Sequence, residues 1–205
     1  FAVTYQFTPQ FMMYANHSES FDEGTVVGSS YANRGETIPP AKTKQNEVGV
    51  KYQSKGLLQT LSYYNMRKQG TNDVLRGGLK YLEIDKEQKY SGVEYSAVGK
   101  VSPQLDMILA LNWLQAEQTD GNSVLGLPKW AGTAALVYKP TEDLSVIGRL
   151  NYSAKARIRH SDPLDVPAYT TFDLGLNYKT KISSKDVTFS LMCSNLFDKR
   201  YWYAS

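Results

Sequence analysis

Lys139-Pro140-Thr141-Glu142-Asp143 leads into Leu144-Ser145-Val146-Ile147-Gly148-Arg149-Leu150-Asn151-Tyr152-Ser153, a short polar turn followed by an alternating run. Leu144, Val146, Leu150 and Tyr152 share one parity, against Ser145, Arg149, Asn151 and Ser153 on the other. Successive side chains of a strand point to opposite faces, so this run has one greasy face and one wet face. The same alternation recurs elsewhere. Phe1, Val3, Tyr5 and Phe7 oppose Ala2, Thr4, Gln6 and Thr8; Phe172, Leu174, Leu176 and Tyr178 oppose Thr171, Asp173 and Asn177. Leu105, Met107, Leu109, Leu111 and Trp113 oppose Asp106, Ala110 and Asn112, with Ile108 and Leu114 as exceptions.

Working outward, four more short turns separate alternating runs: Thr8-Pro9-Gln10, Ser54-Lys55-Gly56, Ser102-Pro103-Gln104 and Thr180 to Asp186. Between one short turn and the next lie roughly 38 to 48 residues that include a much longer polar connection. Ten strands are expected, at about 1–7, 10–18, 43–53, 57–67, 89–101, 105–116, 128–139, 143–156, 167–179 and 185–195. Tight turns on one side and long loops on the other describe the wall of an outer-membrane β-barrel. The fold class expected is therefore all-β, an antiparallel meander of about ten long strands. The second and fourth strands, Phe11-Met12-Met13-Tyr14 and Leu57-Leu58-Gln59-Thr60-Leu61, do not assign to a face.

Alternation alone does not say whether the greasy face meets lipid or a protein core. Aromatic placement separates the two. Tyr5, Tyr52, Tyr138 and Tyr178 lie on the apolar parity close to short turns, and Trp113, Trp130 and Tyr152 lie on it at the far ends of strands. Rings at two levels with aliphatic side chains between them are what an interface girdle needs. The competing reading is that β proteins are simply rich in tyrosine.

Composition narrows the class further. Hydrophobic residues make up 41% of the 205, and no run approaches the ~18 to 20 apolar residues of a membrane helix. A net charge of +3 without a basic stripe argues against a nucleic-acid partner. The single cysteine, Cys193, shares parity with Val187, Phe189 and Leu191 and is expected as a small lipid-facing hydrophobe. The chain opens on strand-like Phe1-Ala2-Val3-Thr4-Tyr5 without an initiating Met, which reads as a piece of something longer.

The residues do not spell out an enzyme. His17 and His160 are expected as separate solvated loop residues, with no ligand-spaced pair for a metal and no Ser/His/Asp arrangement. Glu94, Asp106 and Asp173 fall on the polar parity, where pairing with lumenal Lys and Arg, or with a plug, is the expectation. No cofactor is expected. The long connections, about 19–42, 68–88, 117–127 and 157–166, carry Gly, Asn, Asp and charge as solvated loops do, and recognition is sought there.

One cluster stands out. Arg149, Asn151, Ser153, Lys155, Arg157 and Arg159 share the polar parity of the eighth strand and its extension. Should alternation persist past Lys155, they form an inward-facing cationic ladder at the outer mouth, which would concentrate anionic ligands. The other reading is a lumenal ladder neutralised by neighbouring acids or by a plug. Phe21, Tyr31 and Trp202 are candidates either for stacking on a flat ligand or for loop packing.

Several segments resemble the barrel of TonB-dependent receptors. These are Tyr31-Ala32-Asn33-Arg34-Gly35-Glu36-Thr37-Ile38-Pro39-Pro40 followed by Gln45-Asn46-Glu47-Val48-Gly49-Val50-Lys51-Tyr52, then Gly92-Val93-Glu94, Pro128-Lys129-Trp130 and Val166-Pro167-Ala168-Tyr169. The most specific is Ser194-Asn195-Leu196-Phe197-Asp198-Lys199-Arg200-Tyr201-Trp202, similar to the family's Asn-Leu-Phe-Asp segment near the carboxyl end. The resemblance implies a segment, residues 1–205, of a 22-stranded barrel, with the plug, the TonB box and the closing strand lying outside it. It further implies a ligand-gated active transporter of the bacterial outer membrane. The expected partners are a ferric siderophore or similar scarce nutrient, outer-membrane lipid, and TonB through the N-terminal region; iron would enter only within the transported chelate. A passive porin and, behind it, a soluble propeller-like repeat protein are the alternatives.

Overall fold

The computed structural model describes residues 1–84, 87–159 and 164–202. In chain order its strands are β1 (Ala2–Thr8), β2 (Phe11–Asp22), β3 (Thr25–Val26), β4 (Thr37–Ile38), β5 (Ala41–Ser54), β6 (Leu57–Lys68), β7 (Thr71–Arg76) and β8 (Leu79–Ile84). They continue as β9 (Gln88–Ser102), β10 (Leu105–Gln118), β11 (Trp130–Tyr138), β12 (Leu144–Ser153), β13 (Ala156–Arg159), β14 (Leu164–Val166), β15 (Tyr169–Ile182) and β16 (Lys185–Cys193). Ten of them form one antiparallel sheet in the order β1-β2-β5-β6-β9-β10-β11-β12-β15-β16. Each long strand pairs with its neighbours in sequence, as short hairpins require and crossovers would not allow. Among the described residues β1 and β16 are the edges of an open wall, and no helix is long and apolar enough to cross a membrane.

The long connections differ from the solvated loops expected of them. Three carry two-stranded ribbons of their own, β3–β4, β7–β8 and β13–β14. The β7–β8 ribbon turns through Gly77 and Gly78, at φ 58° and 81°, the left-handed conformations that a two-residue hairpin turn demands. The sequence reading also carries the eighth strand to residue 156, whereas β12 stops at Ser153 and β13 pairs with β14 in a separate ribbon. His160 lies outside the described residues.

Register fixes the faces. Leu105, Met107, Leu109, Leu111 and Trp113 stand opposite Tyr138, Leu136, Ala134, Gly132 and Trp130. Tyr138, Val146 and Leu176 then continue one row across three strands, and Leu191 extends it onto β16. The other face holds a hollow of about 720 Å³ lined by Glu94, Asn112, Thr133, Asn151 and Ser153, so the polar parity is the concave side. Apolar side chains stay open on the convex face: Leu136 is 47% exposed and Leu174 45%. Buried apolar residues amount to small ones such as Ala97 and Ala135 in the sheet. A soluble monomer rarely leaves so broad an apolar surface uncovered, whereas a barrel wall turns it to lipid.

The two unassigned strands resolve by the same register. On β2, Phe11, Met13 and Ala15 share the convex face with Tyr52, Val50 and Val48, while Met12 and Tyr14 take the concave parity. On β6, Leu58 stands opposite Val98, which stands opposite Ile108, all on the concave parity. The Ile108 exception thus belongs to an inward apolar row near the short turns. Cys193 stands opposite Leu174 on the apolar face and is exposed.

Candidate ligand-facing wall

Two tyrosines of the concave parity lie on the β2–β9 side of the wall, and Tyr14 lines the hollow. Tyr14 lies opposite Gly49 and Tyr64 opposite Gly92. A Cβ on Gly49 would come within 2.5 Å of the Tyr14 ring, and one on Gly92 within 2.6 Å of Tyr64 Oη. Each ring therefore lies flat across the neighbouring strand, a contact that glycine alone permits. Tyr14 Oη donates to Glu47 at 2.6 Å, and Asn112 donates to Glu94 at 3.4 Å. This flank presents carboxylates and phenols to the hollow.

The β12–β15 flank is organised by one carboxylate. Asp173 Oδ2 receives Arg149 Nε at 2.9 Å and Asn151 Nδ2 at 3.2 Å, while Oδ1 accepts the Asn195 backbone N–H at 2.8 Å. Asp173 thereby ties the Asn-Leu-Phe-Asp segment to the wall. Asn195 then folds the chain back, its amide bonded both to the N–H of Lys199 at 2.9 Å and to its carbonyl at 3.0 Å. Leu196 N–H reaches Phe172 O, and Phe197 meets Phe172 edge-on at 5.4 Å. The return carries Tyr201 onto Tyr169, stacked at 4.1 Å, and brings Trp202 to line the hollow, 77% exposed. Asp106 pairs with Lys139 on the concave parity. Of the three strand carboxylates, Asp106 and Asp173 take cations and Glu94 takes an amide.

The structure places the remaining site residues in two groups. Lys155 Nζ and Arg157 Nε both approach Asp165 of β14, at 3.4 Å and 2.9 Å. Arg157 foremost, with Lys155, holds the Asp165 carboxyl below its ordinary range. Arg159 closes β13 and stands opposite Leu164. Because β12 ends at Ser153, Arg157 and Arg159 ride a ribbon, with Lys155 in the link just before it, instead of continuing Arg149's strand. Ala154 and Ala156, on either side of Lys155, line the same hollow as Trp202.

Tyr31 belongs to a different loop cluster. Its hydroxyl donates to Asp73 at 2.8 Å and Lys80 Nζ sits 5.1 Å over its ring, which fastens the 27–36 turn to the β7–β8 ribbon. Lys80 first, then Tyr31, lowers the Asp73 carboxyl, and Asp73 in turn raises the Lys80 ammonium. Phe21 lies beneath Lys42, and His17 bonds Asn46 at 2.7 Å. Sequence reasoning passed over Tyr14 and Tyr64, whose strands, the second and the fourth expected, had no assigned face, and over Glu47, whose place opposite Tyr64 only the register shows.

An open antiparallel wall with a polar hollow, an apolar convex face and long ribboned loops defines a segment of a transmembrane β-barrel. The comparisons carry this further. The TonB dependent receptor-like β-barrel family matches residues 1–196, and the chain belongs to that family. It is similar to an uncharacterized TonB-dependent receptor of Haemophilus influenzae, 26% identical over 96% of this chain and 61% of the relative. It is also similar to the metal-pseudopaline receptor CntO of Pseudomonas aeruginosa, 28% identical over 99% of this chain and 30% of the relative. Among solved structures it resembles BauA, the ferric preacinetobactin receptor of Acinetobacter baumannii. There the TM-score is 0.81 at 28% identity, over 98% of this chain and 32% of that one. The chain thus spans 61% of the Haemophilus relative and about a third of the other two. Members of the family are receptors and transporters of the outer membrane, built as β-barrels.

Proposed function

We propose that this chain is part of the barrel wall of an outer-membrane receptor that takes up a ferric siderophore or a similar metal chelate, driven through TonB. The observation that carries the reading is the family match over residues 1–196, joined to a polar hollow beside ribboned loops. Relatives named for ferrichrome in Escherichia coli and for metal-pseudopaline in Pseudomonas aeruginosa support a chelated metal as the cargo. The chemistry of the outer rim agrees: Lys155 and Arg157 share the one carboxylate of Asp165, an excess of one positive charge, and Arg149 stands deeper on the same side. A narrow cationic rim raises the local concentration of anionic chelates without doing chemistry on them. Trp202 offers a ring to a flat chelating group at the hollow's edge. The functional residues are therefore Lys155, Arg157 and Arg159 for capture, Trp202 for contact and Arg149 for the inner wall. Tyr31 serves by holding the loop cluster.

The test is binding of an anionic ferric chelate to the full-length receptor across a salt series. Replacing Lys155, Arg157 and Arg159 together by Gln should weaken binding several-fold at low salt and flatten the salt dependence. Unchanged affinity at every salt concentration would reduce the three cations to ribbon architecture and direct the search to neutral or cationic nutrients.

A further inference from the structure

We propose that Asn33 is the pin of a clasp that makes the 27–36 turn and the β7–β8 ribbon one body, so that the two open and close together at the long-loop end of the wall. Asn33 Nδ2 donates to Leu82 O at 2.9 Å, and the Leu82 N–H donates back to Asn33 Oδ1 at 3.2 Å. Beside it, the Ala32 N–H donates to Lys80 O at 2.8 Å. Lys80 and Leu82 stand opposite Leu75 and Asp73 of β7. An antiparallel strand sends the backbone groups of alternate residues to opposite edges, so Lys80 and Leu82 present theirs on the edge of β8 that faces away from β7. The turn takes the place of a third strand there, one backbone amide and one side-chain amide reproducing the bonds of an added peptide.

Asn33 uses both kinds of group that a side-chain amide has. Its Nδ2 also donates to Glu36 Oε2 at 3.0 Å, and its backbone carbonyl accepts the Glu36 N–H at 3.2 Å, which fixes the amide plane against β8. An amide carries two N–H donors and one carbonyl acceptor, whereas the equally sized aspartate carries only acceptors and would set its charge against Leu82 O and Glu36. The turn is built by its own bonds. Val27 N–H donates to Glu36 O and Gly35 N–H to Val27 O, both at 2.9 Å, with Gly35 at φ 83° and Val27 buried. A preformed turn therefore meets a preformed ribbon.

Nearer the wall the two connections stand apart. A cleft of about 150 Å³ lies between their roots, lined by Thr25, Ile38 and Pro39 on one side and Gln69, Thr71 and Ile84 on the other. The fastening is thus at the level of Asn33, where Lys80 Nζ and Tyr31 Oη also share the Asp73 carboxylate, both at 2.8 Å. Hydrogen bonds at a partly exposed site are weak one by one in net terms, so the contact holds its geometry and still opens as local segments do. A joint at the tips over a hollow root swings as a unit while it is closed and frees two separate loops when it opens. The clasp rests on these contacts alone and is independent of what the receptor carries and of coupling to TonB.

The experiment uses the full-length receptor in lipid nanodiscs, freed of native cysteines by changes that include C193S, with G28C and L79C carrying nitroxide labels. A side chain at Gly28 meets nothing within 4 Å, and Leu79 is exposed. Electron–electron double resonance should give one narrow distance with Asn33 in place and a broad or split distribution in both N33A and N33D. Hydrogen exchange at the Leu82 amide should rise roughly ten-fold in N33A, the worth of about one net hydrogen bond. Heat-modifiable gel mobility checks that each variant assembles. A distribution already broad with Asn33 in place overturns the proposal, as does one that stays narrow in both variants or unchanged Leu82 exchange in N33A. Broadening in N33A with a narrow distance kept in N33D also overturns it, by reducing Asn33 to a residue of the right size.

Discussion

Asp173 accepts the Asn195 backbone N–H at 2.8 Å on the carboxylate oxygen that Arg149 leaves free, so one side chain on β15 holds both the inner wall and the returning C-terminal segment. Asn195 sits at φ 49°, a left-handed conformation that Asn tolerates better than most residues, and the bond to Asp173 fixes that turn. Replacing Asp173 by Ala removes the acceptor of Arg149 and of the Asn195 N–H, at about 1 to 3 kcal/mol for each donor left without a partner, while Asn151 keeps its bond to Thr171. The full-length receptor carrying Asp173→Ala should assemble poorly by heat-modifiable gel mobility, with Asp173→Asn intermediate. Normal assembly of the Ala variant would show that the Asn-Leu-Phe-Asp turn closes unaided.

The two faces of β10 should tolerate charge very differently. Leu109 stands opposite Ala134 and Ala97 on the convex side, whereas Asn112 lines the hollow. Arginine facing lipid near mid-membrane costs roughly 2 to 4 kcal/mol. Leu109→Arg should therefore reduce the folded fraction strongly and Asn112→Arg only mildly. Equal folded fractions would remove lipid from the convex face.

Glycine offers a paired test. Valine at Gly49 would drive the Tyr14 ring off its seat and break its bond to Glu47, while a Cβ on Gly148 would meet nothing within 4 Å. Gly49→Val should lower stability by about 1 to 3 kcal/mol, as overpacking does, and Gly148→Val should be near neutral in denaturant titrations. Reversed effects would mean that Tyr14 does not lie across β5.

Acid should loosen the β13–β14 ribbon. The folded Asp165 carboxyl lies below its ordinary value of 3.8, chiefly through Arg157. A carboxyl depressed by folding contributes stability that is complete above its unfolded value and disappears as pH falls through the folded one. Backbone hydrogen exchange in β13 and β14, corrected for intrinsic rates, should be flat above about pH 5 and lose protection below about pH 4. Asp165→Asn should abolish that pH dependence, and an unaltered acid response in the variant would assign it to another group.

Much of the wall was legible because lipid on one side and a wet hollow on the other impose a clean two-residue period, as on Leu144 to Ser153. The signal failed where the hollow itself turns apolar. Leu58, Val98 and Ile108 face inward near the short turns, so β6 reads as greasy on both sides. Met12 does the same for β2. The ribbons escaped for a different reason: Thr71 to Arg76 has too little apolar content to alternate, although Gly77-Gly78 was a usable hairpin signal. Asp165 could not be matched to Lys155 and Arg157 from sequence, because that contact depends on how the loop closes.

Uptake of radioactive iron by cells expressing the full-length receptor separates coupled transport from passive passage. With an anionic ferric siderophore supplied at low concentration, accumulation should require both the receptor and an intact TonB system, and should fall with the Lys155, Arg157 and Arg159 to Gln variant. Accumulation that persists without TonB and rises linearly with ligand concentration would contradict it, and would make this chain the wall of a passive pore.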